Sequence, residues 1–308
     1  MKKNIICCAF LGLLLSACGK PTATGPVAVD QATADALTKE IEKERSETRE
    51  WLKSSPSSYL AATDRVDFGR KPTLSVGRAE GNDVRLSSED VAPHHLKITV
   101  EGDRFRVEAV DPNSSFKIGE ETKREATVDP SMIQVGRFRL RLSHQRFPAV
   151  IVFDPQSPRF KEYKGIDYFP VDLSYRYELP LQRDPKTEKF VILSTRGHQR
   201  KAERVGWFEF LVGETVCRLE ATRLLEPGAG GEETLSVYFR DATSGKESYP
   251  LGRYVDAKKM PNGLYLLDFN TAYNPACAFS DYYNCPVPPK ANTLPVAIRA
   301  GEKDSHYH

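Results

Sequence analysis

The sequence predicts a mainly β protein, with two β-sandwich-like domains preceded by a tether and one amphipathic helix. Three observations predict it. Apolar residues alternate with polar ones in short runs along most of the chain, which is the period of a half-buried strand. Gly, Pro, Asn and Asp punctuate those runs as turns do. A helical period occurs in one segment near the amino terminus. The 15 Phe and 13 Tyr, against 2 Trp, suit a pleated surface.

The chain has 308 residues, 40% hydrophobic and 28% charged, which leaves room for two domains. A formal net charge of +2 gives no nucleic-acid footprint, so nucleic acid is not an expected partner.

Residues 1–18 read as an export signal. Lys2 and Lys3 precede an apolar run, Ile5 to Leu15, too short to span a bilayer as a helix. From Gly19 to about Val29 the Gly, Pro, Thr and Ala composition reads as a flexible tether. Ala34, Leu37, Ile41 and Trp51-Leu52 then recur among charged residues at helical spacing. Asp30 or Thr33 caps that helix, and Ser54-Ser55-Pro56 ends it. The helix lies on a membrane or partner, or packs on its own domain. Tether and helix occupy 19–58.

Residues 59–147 read as the first β domain. Leu96, Ile98 and Val100 alternate, Glu101-Gly102-Asp103 turns the chain, and Phe105, Val107 and Ala109 alternate back. Phe138, Leu140 and Leu142 repeat the pattern. The second domain spans 148–303, beginning with a strand from Ala149 to Phe153. Tyr175, Tyr177, Leu179 and Leu181 alternate; Trp207 to Val212 and Val216 to Ala221 flank Gly213-Glu214 as a hairpin; Leu235, Val237 and Phe239 alternate again. From Leu266 to Pro295 the chain turns proline-rich and aromatic. Pro286, Pro288 and Pro289 lack the N–H a central strand needs, so this block is irregular and packs on a sheet. Residues 304–308, with His306 and His308, are expected to fray.

Export governs the cysteines. Cys7 and Cys8 leave with the signal, and Cys217, in an alternating run, reads as a core thiol. Cys277 and Cys285, close in sequence in an oxidising compartment, are expected to form a disulfide. It would stabilise the fold by roughly 2–3 kcal/mol. A metal there needs about four ligands, and no CxxC or nearby histidine supplies them.

Three resemblances add to this reading. Leu15-Ser16-Ala17-Cys18, followed by Gly19, resembles a bacterial lipobox. It implies acyl chains on Cys18 and a lipid anchor in the bacterial cell envelope, on the outer membrane facing the periplasm where two membranes exist. Gly77-Arg78, Asn82-Asp83-Val84, Leu86, Val91 and His95 resemble a forkhead-associated domain, which implies a β-sandwich whose apical loops bind phosphothreonine. Arg78 and His95 are the phosphopeptide-site positions retained. The chain departs from the pattern at Ala92 and Pro93, where that family has serine and arginine, and at Asn113-Ser114-Ser115, where it has Asn-Gly. Arg78 and His95 are therefore expected to bond loops to one another. Asp268-Phe269-Asn270, Tyr273-Asn274-Pro275, Cys277-Ala278-Phe279, Cys285-Pro286, Leu294-Pro295-Val296-Ala297-Ile298 and Gly301-Glu302-Lys303 are similar to the bacterial family called domain of unknown function 1684. So are Gly165 to Asp172 and Phe239 to Glu247. That family supplies no reaction.

Glu226 to Gly231 is glycine-rich but lacks the Gly-Lys-Ser/Thr ending of a phosphate loop. No HExxH or GxSxG motif occurs, so no cofactor or metal is implied. The richest polar set is Arg240, Asp241, Lys246, Glu247, Arg253, Asp268, Asn270 and Asn274, with Asp167 and Tyr168 upstream. These residues line a cleft for a small polar or anionic ligand, or they satisfy the backbone of irregular loops. The expected protein is a non-catalytic binding or scaffold protein of the envelope, whose partner is an envelope protein or such a ligand. The alternative is a hydrolase acting on an envelope component, with Asp241, Glu247 or Asp268 as acid or base.

Overall fold

The computed structural model describes residues 23–186, 188–227 and 233–307. Cys7, Cys8 and Cys18 of the expected export signal, Gly228 to Gly231 of the glycine-rich loop, and His308 lie outside the described residues. The described chain is mainly β, with three sheets and one α-helix. None of its helices is long and apolar enough to cross a membrane.

The helix, α1, spans Gln31–Ser54. The Asp30 carboxylate accepts from Thr33 N at 2.8 Å, which satisfies one of the free N–H groups of the first turn. At the other end Ser55 is already extended, one residue before Pro56. Of the residues expected as a free tether, 19–22 lie outside the described residues, and two of those that follow are docked. Thr24 bridges Phe210, and Val27 N donates to Arg176 O at 2.9 Å.

The first β unit contains β1 (Ala62–Asp67), β2 (Thr73–Gly77), β3 (Val84–Arg85), β4 (Leu96–Glu101), β5 (Arg104–Ala109), β6 (Phe116–Ile118), β7 (Glu121–Lys123), β8 (Glu125–Val128), β9 (Met132–Val135), β10 (Phe138–His144) and β11 (Pro148–Phe153). They form two sheets, ordered β1-β11-β10-β9-β6-β7 and β3-β2-β4-β5-β8. Alternate residues of both, among them Leu74, Ile98 and Val107 against Ile133, Leu140 and Val152, share one buried core. The predicted β4–β5 hairpin is present, with Glu101 opposite Arg104. Because β11 pairs with β1 and β10, this unit extends one strand past residue 147.

The second unit is one antiparallel sheet. It comprises β12 (Arg176–Leu179), β13 (Glu188–Leu193), β14 (Gln199–Val212), β15 (Thr215–Leu224), β16 (Thr234–Phe239), β17 (Arg253–Lys259) and β18 (Tyr265–Asp268), in the order β12-β18-β17-β16-β15-β14-β13. Just past β12, Gln182 bridges Trp207 of β14, so the sheet curls back on itself. Its inner face buries Tyr177, Phe208, Phe210, Leu219, Val237 and Phe269, with Cys217 as a core thiol. Gly213, at φ +58, makes the tight β14–β15 turn.

The outer face is where the middle of the irregular C-terminal block packs, while Ala272 and Leu294 of the same block join the inner core. Tyr238 and Tyr254 point there and meet Cys277, Phe279 and Tyr283 of the block, Leu52 of α1, and Ile151 and Phe153 of the first unit. This third core joins helix, first unit and second unit.

The disulfide expected in the block is not formed: Cys277 and Cys285 are buried free thiols. Cys285 Sγ accepts from Cys277 N at 3.3 Å, and Tyr249 Oη donates to Cys277 Sγ at 3.9 Å. The segment is held by aromatic burial and main-chain bonds such as Thr195 N to Cys285 O at 2.9 Å. The tail is docked rather than frayed. Tyr307 stands 5.6 Å from the Phe279 ring, and its hydroxyl accepts from Lys164 N at 2.9 Å.

Candidate functional site

A cavity of about 300 Å³ lies between α1 and the second unit. Ile41, Arg45 and Leu52 are the buried residues of α1, at the spacing of one helical face. Arg45 occupies a position that the apolar period assigns to a hydrophobe. Its Nη1 donates to Phe169 O at 3.0 Å and to Glu42 at 2.9 Å, its Nη2 to Asn270 O at 3.3 Å, and its guanidinium lies 4.7 Å from the Tyr168 ring centre. Arg49 lies equally close to that ring and donates to Ile166 O at 3.1 Å. Two arginines thus fasten the helix to the loop 166–169.

The floor is Glu302, which is 4% exposed. Its carboxyl accepts from Asn274 N at 2.7 Å and from the Tyr168 hydroxyl at 3.4 Å. Burial pushes it up to about 7, against the pull of Arg253 and Arg45. Trp51, Tyr59, Tyr273 and Phe279 supply aromatic wall. Two buried polar atoms on lining residues, Arg45 Nε and Asn274 Oδ1, have no hydrogen-bond partner.

A strap, residues 298–302, carries Glu302 into place. Arg253, 1% exposed, holds it by donating to Ile298 O at 2.8 Å and Glu302 O at 3.1 Å. Arg253 also pairs with Asp241 at 3.3 Å, and Asp241 accepts from Ile298 N at 2.6 Å. Gly301, at φ +78, crosses the turn after β18 so closely that a Cβ would lie 2.5 Å from Ala272 O.

Of the ten residues the sequence singled out, Tyr168, Asn270 and Asn274 line the cavity. Arg253 and Asp241 hold the strap. Asp268 pairs with Arg176 at 2.5 Å and accepts from Asn270 Nδ2 at 2.9 Å. Glu247 is exposed and pairs with Arg299 at 2.9 Å. Arg240 Nε donates to Leu251 O at 3.3 Å, and Asp167 and Lys246 are exposed, away from the cavity. Asp241, Glu247 and Asp268 thus each answer a different arginine and share no site. Arg45 and Glu302 were missed as site residues. The break in the apolar stripe at Arg45 was a signal for the first; nothing in the spacing marked the second. Among the described residues no group of three His, Cys, Asp or Glu is placed to hold a metal ion.

In the first unit Arg78 Nε donates to Val91 O at 3.2 Å. His95 accepts from Ala92 N at 3.0 Å through Nδ1, and its Nε2 faces Ser115 O at 2.8 Å, so both ring nitrogens bond loops to one another.

Two β units, one of them a two-sheet unit with forkhead-associated loops, define the class: an FHA-like domain joined to a second β domain. Residues 74–129 match the FHA domain, and residues 161–303 match the family described as Protein of unknown function (DUF1684). The chain thus carries a DUF1684 domain and an FHA-like domain. An uncharacterized protein of Haloarcula marismortui, determined by solution NMR, is 33% identical over 50% of this chain and 85% of its own, with a TM-score of 0.39. An FHA domain studied for phosphothreonine-dependent interactions is 18% identical over 27% of this chain and 78% of its own, with a TM-score of 0.21. Mycobacterium tuberculosis EmbR, in complex with a low-affinity phosphopeptide, is 15% identical over 39% of this chain and 30% of its own, with a TM-score of 0.21. No curated protein matches the chain.

Proposed function

We propose that this chain is a non-catalytic binding protein of the cell envelope, held to a membrane by lipid on Cys18, which takes a small amphipathic ligand beneath α1. The cavity under the helix carries the reading. Its aromatic walls suit an apolar body, and Arg45 Nε and Asn274 Oδ1 lack an acceptor and a donor respectively. A primary amide or a protonated carboxyl offers both once those two side chains, whose unpaired atoms are shut from solvent, turn to meet it. The acids that a hydrolase would need as a pair are spent on separate arginines. The FHA-like unit serves as a protein-docking surface. With Ala92 and Pro93 at the phosphate-facing positions, that docking does not depend on phosphate.

Isothermal titration of the purified full chain with phenylacetamide tests the cavity. Saturable binding is expected in the wild type and not in Thr48→Trp, which fills the cavity from α1. Absence of binding, or binding that Thr48→Trp leaves intact, overturns the reading. Hydrolysis of phenylacetamide that disappears in Glu302→Gln would replace it with an amidase.

A further inference from the structure

Cys277 and Cys285 do not line the cavity beneath α1, and their sulfurs do not have the surroundings of an ordinary core thiol. Cys217 supplies the contrast. It lies in the inner core of the second unit with Phe208, Phe210 and Leu219, and burial alone pushes its thiol up. The other two thiols, 5% and 8% exposed, stand against each other and are met by donors. Cys277 N donates to Cys285 Sγ at 3.3 Å, and Tyr249 Oη donates to Cys277 Sγ at 3.9 Å. Hydrogen bonding between the two side chains holds Cys277 below the ordinary thiol range and pushes Cys285 up. The pair thus gives up its first proton more readily than a lone buried thiol, and its second less so.

The main chain fixes both sulfurs in place. Cys277 lies in the short helical turn Ala276–Ala278, where Ala278 N donates to Pro275 O at 2.8 Å. Cys285 is clamped by Thr195, whose N donates to Cys285 O at 2.9 Å and whose hydroxyl accepts from Cys285 N at 3.1 Å. Thr195, Tyr249 and Cys277 also line an open cavity of about 610 Å³, which shares no lining residue with the cavity beneath α1. A small ion can reach Cys277 through it.

Ligand chemistry decides what such a pair can hold. Zinc asks for about four ligands, and among the described residues no third His, Cys, Asp or Glu is grouped with these two. A soft, closed-shell monovalent cation prefers thiolate sulfur, and two sulfurs satisfy it. Tyr249, Tyr254 and Tyr283, all buried, belong to the same aromatic cluster as the pair and limit the access of water to it.

We infer that Cys277 and Cys285 form a two-sulfur site for copper(I). On binding, two S–H bonds break, two Cu–S bonds form and two protons leave to solvent, with no change in oxidation state. The Tyr249 hydroxyl and the Cys277 amide remain as donors to the thiolates. Bound copper clasps the turn at 276–278 to the segment that Thr195 holds.

The test is an anaerobic titration of the full chain with copper(I) in competition with bicinchoninate. Every sample carries Cys7→Ser, Cys8→Ser and Cys18→Ser, so that Cys217, Cys277 and Cys285 are the cysteines left. The protein is expected to take a single equivalent of copper(I) from the competitor. Cys277→Ser and Cys285→Ser should each lose that equivalent, and Cys217→Ala should keep it. X-ray absorption of the loaded protein, which does not depend on how the serine variants fold, should show two sulfur neighbours and nothing else. No uptake, uptake that survives Cys277→Ser or Cys285→Ser, loss of uptake in Cys217→Ala, or a shell containing nitrogen, oxygen or a third sulfur would overturn the inference.

Discussion

Glu302 is an acid shut away from water with two donors on its carboxyl, and burial outweighs them. With its folded value near 7 against an ordinary 4.5, the folded chain holds a proton there that the unfolded chain has released. The contribution is therefore full below about pH 4.5 and is lost as pH rises toward 7, an effect of about 3 kcal/mol. Glu302→Gln should remove this dependence. Urea unfolding from pH 5 to pH 8 should show the wild type losing stability relative to the variant, and parallel curves would contradict the assignment. The sulfurs offer a second test at this scale. Denatured protein treated with a maleimide without reductant should label at Cys217, Cys277 and Cys285, located by peptide mass, because all three are free thiols. The pairing expected from sequence spacing failed because proximity along the chain says nothing about what else holds a loop. Here Tyr249, Thr195 and an aromatic cluster hold it.

At the scale of elements, a buried cation is the hub of the strap 298–302, beside main-chain bonds such as Glu302 N to Ala272 O at 2.8 Å. Arg253 is wholly enclosed by three strap carbonyls, Asp241, and the rings of Phe169 and Phe239. Arg253→Ala leaves Asp241 and those carbonyls without their partner and should cost about 3–5 kcal/mol in urea unfolding. Arg240→Ala, losing one half-exposed bond, should cost about 1 kcal/mol or less. The strands themselves were legible, since Tyr177 and Leu179, Phe208 and Phe210, or Leu235 and Val237 alternate with a period of two and are buried accordingly. The helix was legible from its stripe and its Asp30 cap. The strap was not, because Ile298 to Glu302 has no period, and its conformation is set by Arg253, Asp241 and Ala272, residues far away in sequence. Its one local mark is Gly301, whose positive φ only the fold reveals.

At the scale of the molecule, the third core decides how the chain unfolds. Leu52, Ile151, Phe153, Tyr254 and Phe279 come from the helix, the first unit and the second, and none of these elements buries its share alone. Calorimetry should give one cooperative transition whose van't Hoff and calorimetric enthalpies agree, and two resolved transitions would contradict this. Sequence reading divided the chain at residue 147 because alternation is blind to which sheet a strand joins. β11 reads as a strand anywhere, and only its pairing with β1 and β10 settles its place.

The bridge between Thr24 and Phe210 bears on geometry at a surface. From Cys18 to Thr24 the chain has six residues, a reach of about 20 Å at full stretch. On the proposed acylation, that is a short leash. The edge of β14, with the bare Val216 side chain opposite Leu211, would ride close over the lipid headgroups, and the protein would survey its own doorstep rather than the width of the compartment.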